Sequence, residues 1–236
     1  MNFRRFIGID LAWTEKNPSA LAILEESAAG LRLLGVYRAR TLCETVELIR
    51  AQREGCEVSI GIDAPLKVPN QTGNREIEKA FLRDFAKYRI GMLPVNRTLM
   101  ERMYGGVRGE ALLALLEAEG FLLGNDVFEV YPHSTVAVCF NGNRILPYKR
   151  KKGRSLADVK EALSTYRDYL REAVGPHPFF DGNLSDLKGK ALKEYEDGLD
   201  GITSAYALWF CRDNPERCKT YRAEGEGVFI TPFPSA

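Results

Sequence analysis

A chain of 236 residues with 33 Lys and Arg against 32 Asp and Glu carries a formal net charge of only +1. It is long enough to bury a full hydrophobic core as one elaborated domain, and it has no overall basic field, so any site for a polyanion must be a local patch. Cys43, Cys56, Cys139, Cys211 and Cys218 are odd in number and scattered, which disfavours a disulfide framework or a zinc site and suits a reducing compartment. The apolar opening run Phe6 to Trp13 is short and interrupted by Asp10, unlike a signal peptide or membrane span, so the expectation is a soluble, cytoplasmic protein.

In chain order, Arg4–Leu11, Ala20–Leu24 and Leu31–Tyr37 read as apolar strands, with a turn at Ala28–Gly30. The short gaps predict an antiparallel three-stranded meander. Thr41–Gln52 follows as a helix, with Leu42, Val46 and Ile49 at helical spacing and Thr41 as its cap. Val58–Ile62 returns to a buried strand that closes on Asp63 and Pro65. Residues 69–124 look like a helical insertion that lids something, with helices near Arg75–Tyr88 and Glu110–Glu119 and an interruption at Pro94. A short strand at Val127–Tyr131 stops at Pro132, an amphipathic helix spans Ser155–Glu172, and a last helix starts around Glu194 to Asp197 and runs to about Cys211. The outline is a mixed α/β sheet covered by helices, one domain over 1–236.

Two apolar strands end identically, in Gly8-Ile9-Asp10 and Gly61-Ile62-Asp63, and Glu129 sits on a looser third. A carboxylate beside a sheet core is costly unless it is paired, hydrogen-bonded or bound to a metal. Hard cations such as Mg²⁺ or Mn²⁺ take oxygen ligands from a few such acids, and two ions held this way support phosphodiester cleavage. Each residue also has a plainer reading. Asp10 could end a strand in a turn, Asp197 could favour a helix dipole, Glu129 could pair with an arginine, and His133 could be a packing residue beside the site. Lys149, Lys151, Lys152 and Arg154 form the concentrated basic run, which is either a solvated loop or a phosphate contact. Trp13 either packs in the core or stacks on a base.

Gly-Ile-Asp-Leu-Ala-Trp at 8–13, Gly-Ile-Asp-Ala-Pro-Leu at 61–66, Glu-Val-Tyr-Pro-His-Ser at 129–134, the basic run at 149–154 and Asp-Gly-Leu-Asp-Gly-Ile-Thr-Ser-Ala-Tyr-Ala at 197–207 together resemble the DUF429 group of predicted nucleases. That resemblance implies a ribonuclease H-like fold with acids on the first strand, the fourth strand and the last helix. It assigns Asp10, Asp63 and the pair Asp197 and Asp200 to a Mg²⁺- or Mn²⁺-dependent nuclease centre, with Glu129 as a further candidate and nucleic acid as partner. Within the pair, Asp200 is expected to be the direct ligand, because Gly201 would let the helix approach the sheet. Two rivals stand beside this reading. An actin-like ATP-dependent kinase would need a glycine- or hydroxyl-rich phosphate loop where Leu11-Ala12-Trp13 stands; the other rival is a non-catalytic module that binds nucleic acid or protein.

Overall fold

Apolar runs with β-branched residues set the sheet. Strands β1 (Phe3–Asp10), β2 (Ser19–Ser27), β3 (Gly30–Ala39), β4 (Cys56–Asp63), β5 (Val127–Glu129), β6 (Cys218–Arg222) and β7 (Val228–Pro232) lie in the order β3-β2-β1-β4-β5-β7-β6. The structure is a computed structural model describing residues 3–28 and 30–234. Met1 and Ala29, the middle of the predicted Ala28–Gly30 turn, lie outside them. The three antiparallel strands expected first are present, β2 pairing with both β1 and β3. β4 then joins β1 in parallel, β5 follows in parallel, and a β6–β7 hairpin closes the edge.

Helices α1 (Leu42–Arg50), α2 (Glu76–Phe85), α3 (Arg97–Tyr104), α4 (Arg108–Ala118), α5 (Pro132–Cys139), α6 (Leu156–Val174) and α7 (Gly189–Asp213) flank the sheet. The expected caps are made. Thr41 Oγ1 accepts from the Glu44 amide at 3.1 Å, and Ser155 Oγ accepts from the Asp158 amide at 3.1 Å. Each satisfies an N–H that a first helical turn leaves without a partner.

Alternation along the strands separates two cores. Ile7, Ile9, Ile60 and Ile62 pack with Leu112 and Leu116 of α4 and Ile49 of α1, while Phe6, Ala22 and Leu24 pack under Leu199, Ile202 and Ala205 of α7. Gly8 and Gly61 explain how closely α7 lies on the sheet. A Cβ on Gly8 would fall 2.0 Å from the Gly201 carbonyl oxygen, and one on Gly61 would fall 2.8 Å from that of Ser204. The close approach therefore depends on the strand glycines. A Cβ on Gly201 would meet only ordinary contacts of 3.5 Å, so the role expected of Gly201 belongs to Gly8 and Gly61.

Several elements differ from the sequence reading. α3 was not anticipated; Asn96 caps it by accepting from the Leu99 amide at 2.9 Å. Pro132, read as a strand stop, also opens α5 at a first-turn position, where its missing N–H costs nothing. β5 ends at Glu129, short of Tyr131. The β6–β7 hairpin has only five residues per strand, too few to show a clear period. α7 begins at Gly189, a turn and more before the expected start.

Candidate metal centre and its cleft

Parallel pairing in register sets Asp10 directly beside Asp63. Gly8 and Asp10 are two residues apart, as are Gly61 and Asp63, so each acid shares its glycine's face of the sheet. That face is the one α7 covers. The Gly-x-Asp spacing thus performs two tasks: glycine admits the helix, and the acid at the strand end meets what the helix brings.

The helix brings Asp197, Asp200 and Glu196. Asp200 is fully buried at 0 % exposure. Its Oδ1 accepts hydrogen bonds from Tyr148 Oη at 2.7 Å and Tyr166 Oη at 3.1 Å, and its Oδ2 lies 2.9 Å from Lys149 Nζ. Asp197 lies on the wall of the adjoining cleft, bonded to Lys193 and 3.6 Å from Arg38 Nη1. Because α7 begins at Gly189, Asp197 is two turns inside the helix. The helix-dipole account, which needs the first turn, does not apply to it. Glu196, not among the expected site residues, is buried and pairs with Lys193 at 3.0 Å.

Electrostatics separates these acids. Burial, reinforced by Asp200, Asp63 and Asp197, holds the Asp10 carboxyl well above the ordinary range. Burial raises Asp63 to about 7, with Lys149 opposing and Asp200 adding to the shift. Asp200 is pushed up by burial, but the Lys149 ammonium, with His133 and the Tyr148 hydroxyl adding to it, leaves it below its ordinary value. Lys149 in turn stays charged despite burial because Asp200, Asp63 and Asp10 surround it. Among the described residues, neither Asp10 nor Asp63 has an ion-pair partner or a hydrogen-bond donor that lowers its pKa.

His133 faces the same cleft, and its Nδ1 is 2.8 Å from Tyr148 Oη. Tyr148 has one hydroxyl proton, which it donates to Asp200, so the imidazole must donate through Nδ1–H. Nε2 is then the unprotonated nitrogen. Burial, with Lys149 adding to it, lowers His133 to about 4 and keeps the ring neutral near pH 7.

Glu129, also on the cleft wall, is fully engaged. Arg75 Nη1 and Nη2 donate to its two oxygens at 2.8 Å each, and the Leu66 amide donates to Oε1 at 2.7 Å. Arg75 Nε also bonds Glu78 at 2.9 Å. This is the arginine pairing that the plainer reading of Glu129 described. Arg75 lies over fifty residues away in sequence, and no local signal links the two.

The basic run divides. Lys149 turns inward to Asp200, Lys151 and Arg154 line the cleft, and Lys152 is exposed off its wall. Arg154 Nη1 donates to the Lys149 carbonyl at 2.8 Å, which fixes the loop. Lys190 and Lys193 of α7 add to the basic lining, and Trp13 and Tyr104 line the cleft as well. The cleft encloses about 1240 Å³. Segment Arg89–Val95 and helix α3 of the insertion contribute to its lining.

The donor set fits a hard divalent cation. Asp10 and Asp63 present carboxylate oxygens without donors, beside Asp200 and Asp197, and burial raises the proton affinity of both, with the neighbouring acids adding to it at Asp10. Among the described residues no three His, Cys, Asp or Glu side chains form a ready ligand cage, but Mg²⁺ is commonly held by one or two carboxylates with water and substrate oxygens completing its shell. Among those residues, no helix is long and apolar enough to cross a membrane.

No curated protein matches the chain. The family model for a protein of unknown function, DUF429, matches residues 8–224, a span that includes both Gly-Ile-Asp strands, the basic run and the acids of α7. The chain belongs to the DUF429 family.

Proposed function

We propose that this chain is a divalent-metal-dependent phosphodiesterase that cleaves nucleic acid, with Asp10, Asp63 and Asp200 as the residues that would hold Mg²⁺ or Mn²⁺ and Asp197 beside them. The observation that carries this reading is the in-register pair Asp10 and Asp63, left without donors and facing Asp200 across the close α7 contact. When bound, the metal would supply Lewis-acid polarisation of a phosphoryl oxygen and an activated water. The resemblance to ribonuclease H-like nucleases, drawn from the same motifs, points the same way, as does the basic wall of Lys151, Arg154 and Lys190. A reducing cytoplasmic compartment is part of the proposal, in keeping with the five free thiols.

The chain's own residues have separable tasks. Lys149 holds Asp200 ionised and offsets the charge of the acid group. His133, neutral with Nε2 unprotonated, can accept a proton in the cleft, and Tyr148 couples it to Asp200. Lys151, Lys190 and Arg154 orient phosphates along the wall. The kinase reading gains little: the Ala12 amide after Asp10 already donates to Ser19 Oγ at 3.1 Å and is not free to cradle a phosphate.

The test is Mn²⁺-supported digestion of single-stranded, duplex and branched DNA, RNA and RNA/DNA hybrid, with Asp10→Asn as control. Cleavage by the wild type that is lost in the variant is expected. No cleavage of any substrate, or equal cleavage by the variant, would overturn the reading.

A further inference from the structure

Part of the cleft lining is apolar and aromatic. Trp13 is 37 % exposed and Leu93 is 77 % exposed, and both line the cleft together with Met92 and Tyr104. The Trp13 and Tyr104 rings lie 4.7 Å apart, centroid to centroid, with a 40° tilt. Trp13 therefore does not take the core position that one sequence reading gave it. Two residues separate it from Asp10.

The Trp13 loop is held in place. Arg108 of α4 donates through Nη1 to the Ala12 carbonyl at 2.7 Å and the Thr14 carbonyl at 3.1 Å, and through Nη2 to the Arg40 carbonyl at 2.8 Å. The carbonyls on both sides of Trp13 are thus bonded to one guanidinium from the insertion. Ser19 Oγ holds the Ala12 amide from below. A large aromatic surface kept partly exposed and braced on both sides is a preorganised contact surface, since little ordering entropy remains to be lost on binding.

We infer that Trp13, supported by Tyr104, is a stacking platform for an unpaired base, and that the cleft selects single-stranded nucleic acid or a strand end over an intact duplex. The inference rests on the proposed phosphodiesterase reading and supplies its substrate class. Phosphates run along Lys151, Arg154 and Lys190, while the base turns to the aromatic side. In a duplex each base face is already stacked within the helix, so only an unpaired base can offer its face to Trp13. The volume of about 1240 Å³ is little more than the roughly 300–1,000 Å³ of small-molecule pockets. It admits a short length of one strand.

The experiment measures binding without cleavage, in the absence of divalent metal. A short oligothymidylate, the same oligonucleotide with its central bases replaced by abasic sites, and a blunt duplex are compared by fluorescence anisotropy. Wild type is expected to bind the base-bearing strand about tenfold more tightly than the abasic one, and the duplex more weakly than either. Trp13→Ala should remove the preference for bases and leave abasic affinity unchanged, whereas Trp13→Phe should keep most of it. In a Trp209→Phe variant, quenching of the remaining Trp13 emission by the base-bearing strand, but not by the abasic one, would report contact directly. Equal affinity for base-bearing and abasic strands, or tighter duplex binding, overturns the platform while leaving the phosphodiesterase reading standing. Failure of all three probes to bind overturns both.

Discussion

Two groups of acids face the same cleft, and they are built in opposite ways. Around Glu129 each oxygen has its donor. Arg75 clamps it through two parallel bonds, the Leu66 amide adds a third, and Glu78 takes Arg75 Nε together with the Val95 amide at 3.1 Å. Burial still leaves Glu78 above its ordinary value, yet the geometry is closed. Around Asp10 and Asp63 the acids outnumber what can neutralise them, and both carboxyls hold their protons far more tightly than usual. A satisfied network fixes the insertion to β5 and is explained by the fold alone. An unsatisfied one is retained against a folding cost, which calls for a ligand that repays it.

Replacing one acid of each group gives the widest separation. Asp10→Asn should abolish Mn²⁺-supported cleavage, a loss of at least a hundredfold, because the roughly 10–100-fold usual for an outer-shell partner is a lower bound for a ligand. The variant should fold normally by circular dichroism. Glu129→Gln should do the reverse, keeping Mn²⁺ affinity while lowering the urea midpoint.

Arg75→Met probes the satisfied side more severely. It leaves Glu129 and Glu78 buried without their counter-ion, and should cost about 3–5 kcal/mol of unfolding free energy, the range seen when one partner of a buried pair is removed. A loss below about 1 kcal/mol would mean that the Arg75 network does not hold the insertion.

Within α7, Asp200→Asn is expected to remove cleavage, while Asp197→Asn, whose side chain is bonded to Lys193 and close to Arg38, retains part of it. The opposite order would move the ligand role to the cleft-wall residue Asp197.

Acidity provides a smaller test. The folded protein holds the Asp63 proton up to about 7, against an ordinary 3.8, so between those values it binds more protons than the unfolded chain. The Asp63 contribution to the stability of the metal-free protein should therefore fall as pH rises from about 4 to about 7. Asp63→Asn should remove this slope, so that the variant becomes the more stable of the two by pH 8 in thermal melts. His133 works in the other direction. Its folded value near 4 lies below the ordinary 6.5, so its contribution is complete above about 6.5 and is lost as pH falls toward 4.

Much of this was legible in sequence because it was written in local patterns. Gly-Ile-Asp recurs on two apolar strands, apolar runs with short gaps mark the meander, and the caps at Thr41 and Ser155 follow their own spacing. What could not be read depends on distance along the chain. Arg75 meets Glu129 across 54 positions, Lys149 meets Asp200 across 51, and Arg108 holds the Trp13 loop from 94 and 96 positions away. Lys149 stands in a basic run, but no local signal ties any of these residues to its partner. The division of the basic run, with Lys149 inward and Lys152 outward, likewise follows from where the loop crosses α7 and not from its composition.

The central claim is that the unsatisfied acids are a cation site, and isothermal titration of the metal-free protein with Mn²⁺ in buffers of different ionisation enthalpy tests it most directly. The account expects saturable binding that releases protons near pH 7, as the Asp63 and Asp10 carboxyls give them up, with binding lost in Asp63→Asn and kept in Glu129→Gln. Absence of binding by the wild type, or unchanged binding by Asp63→Asn, would contradict it.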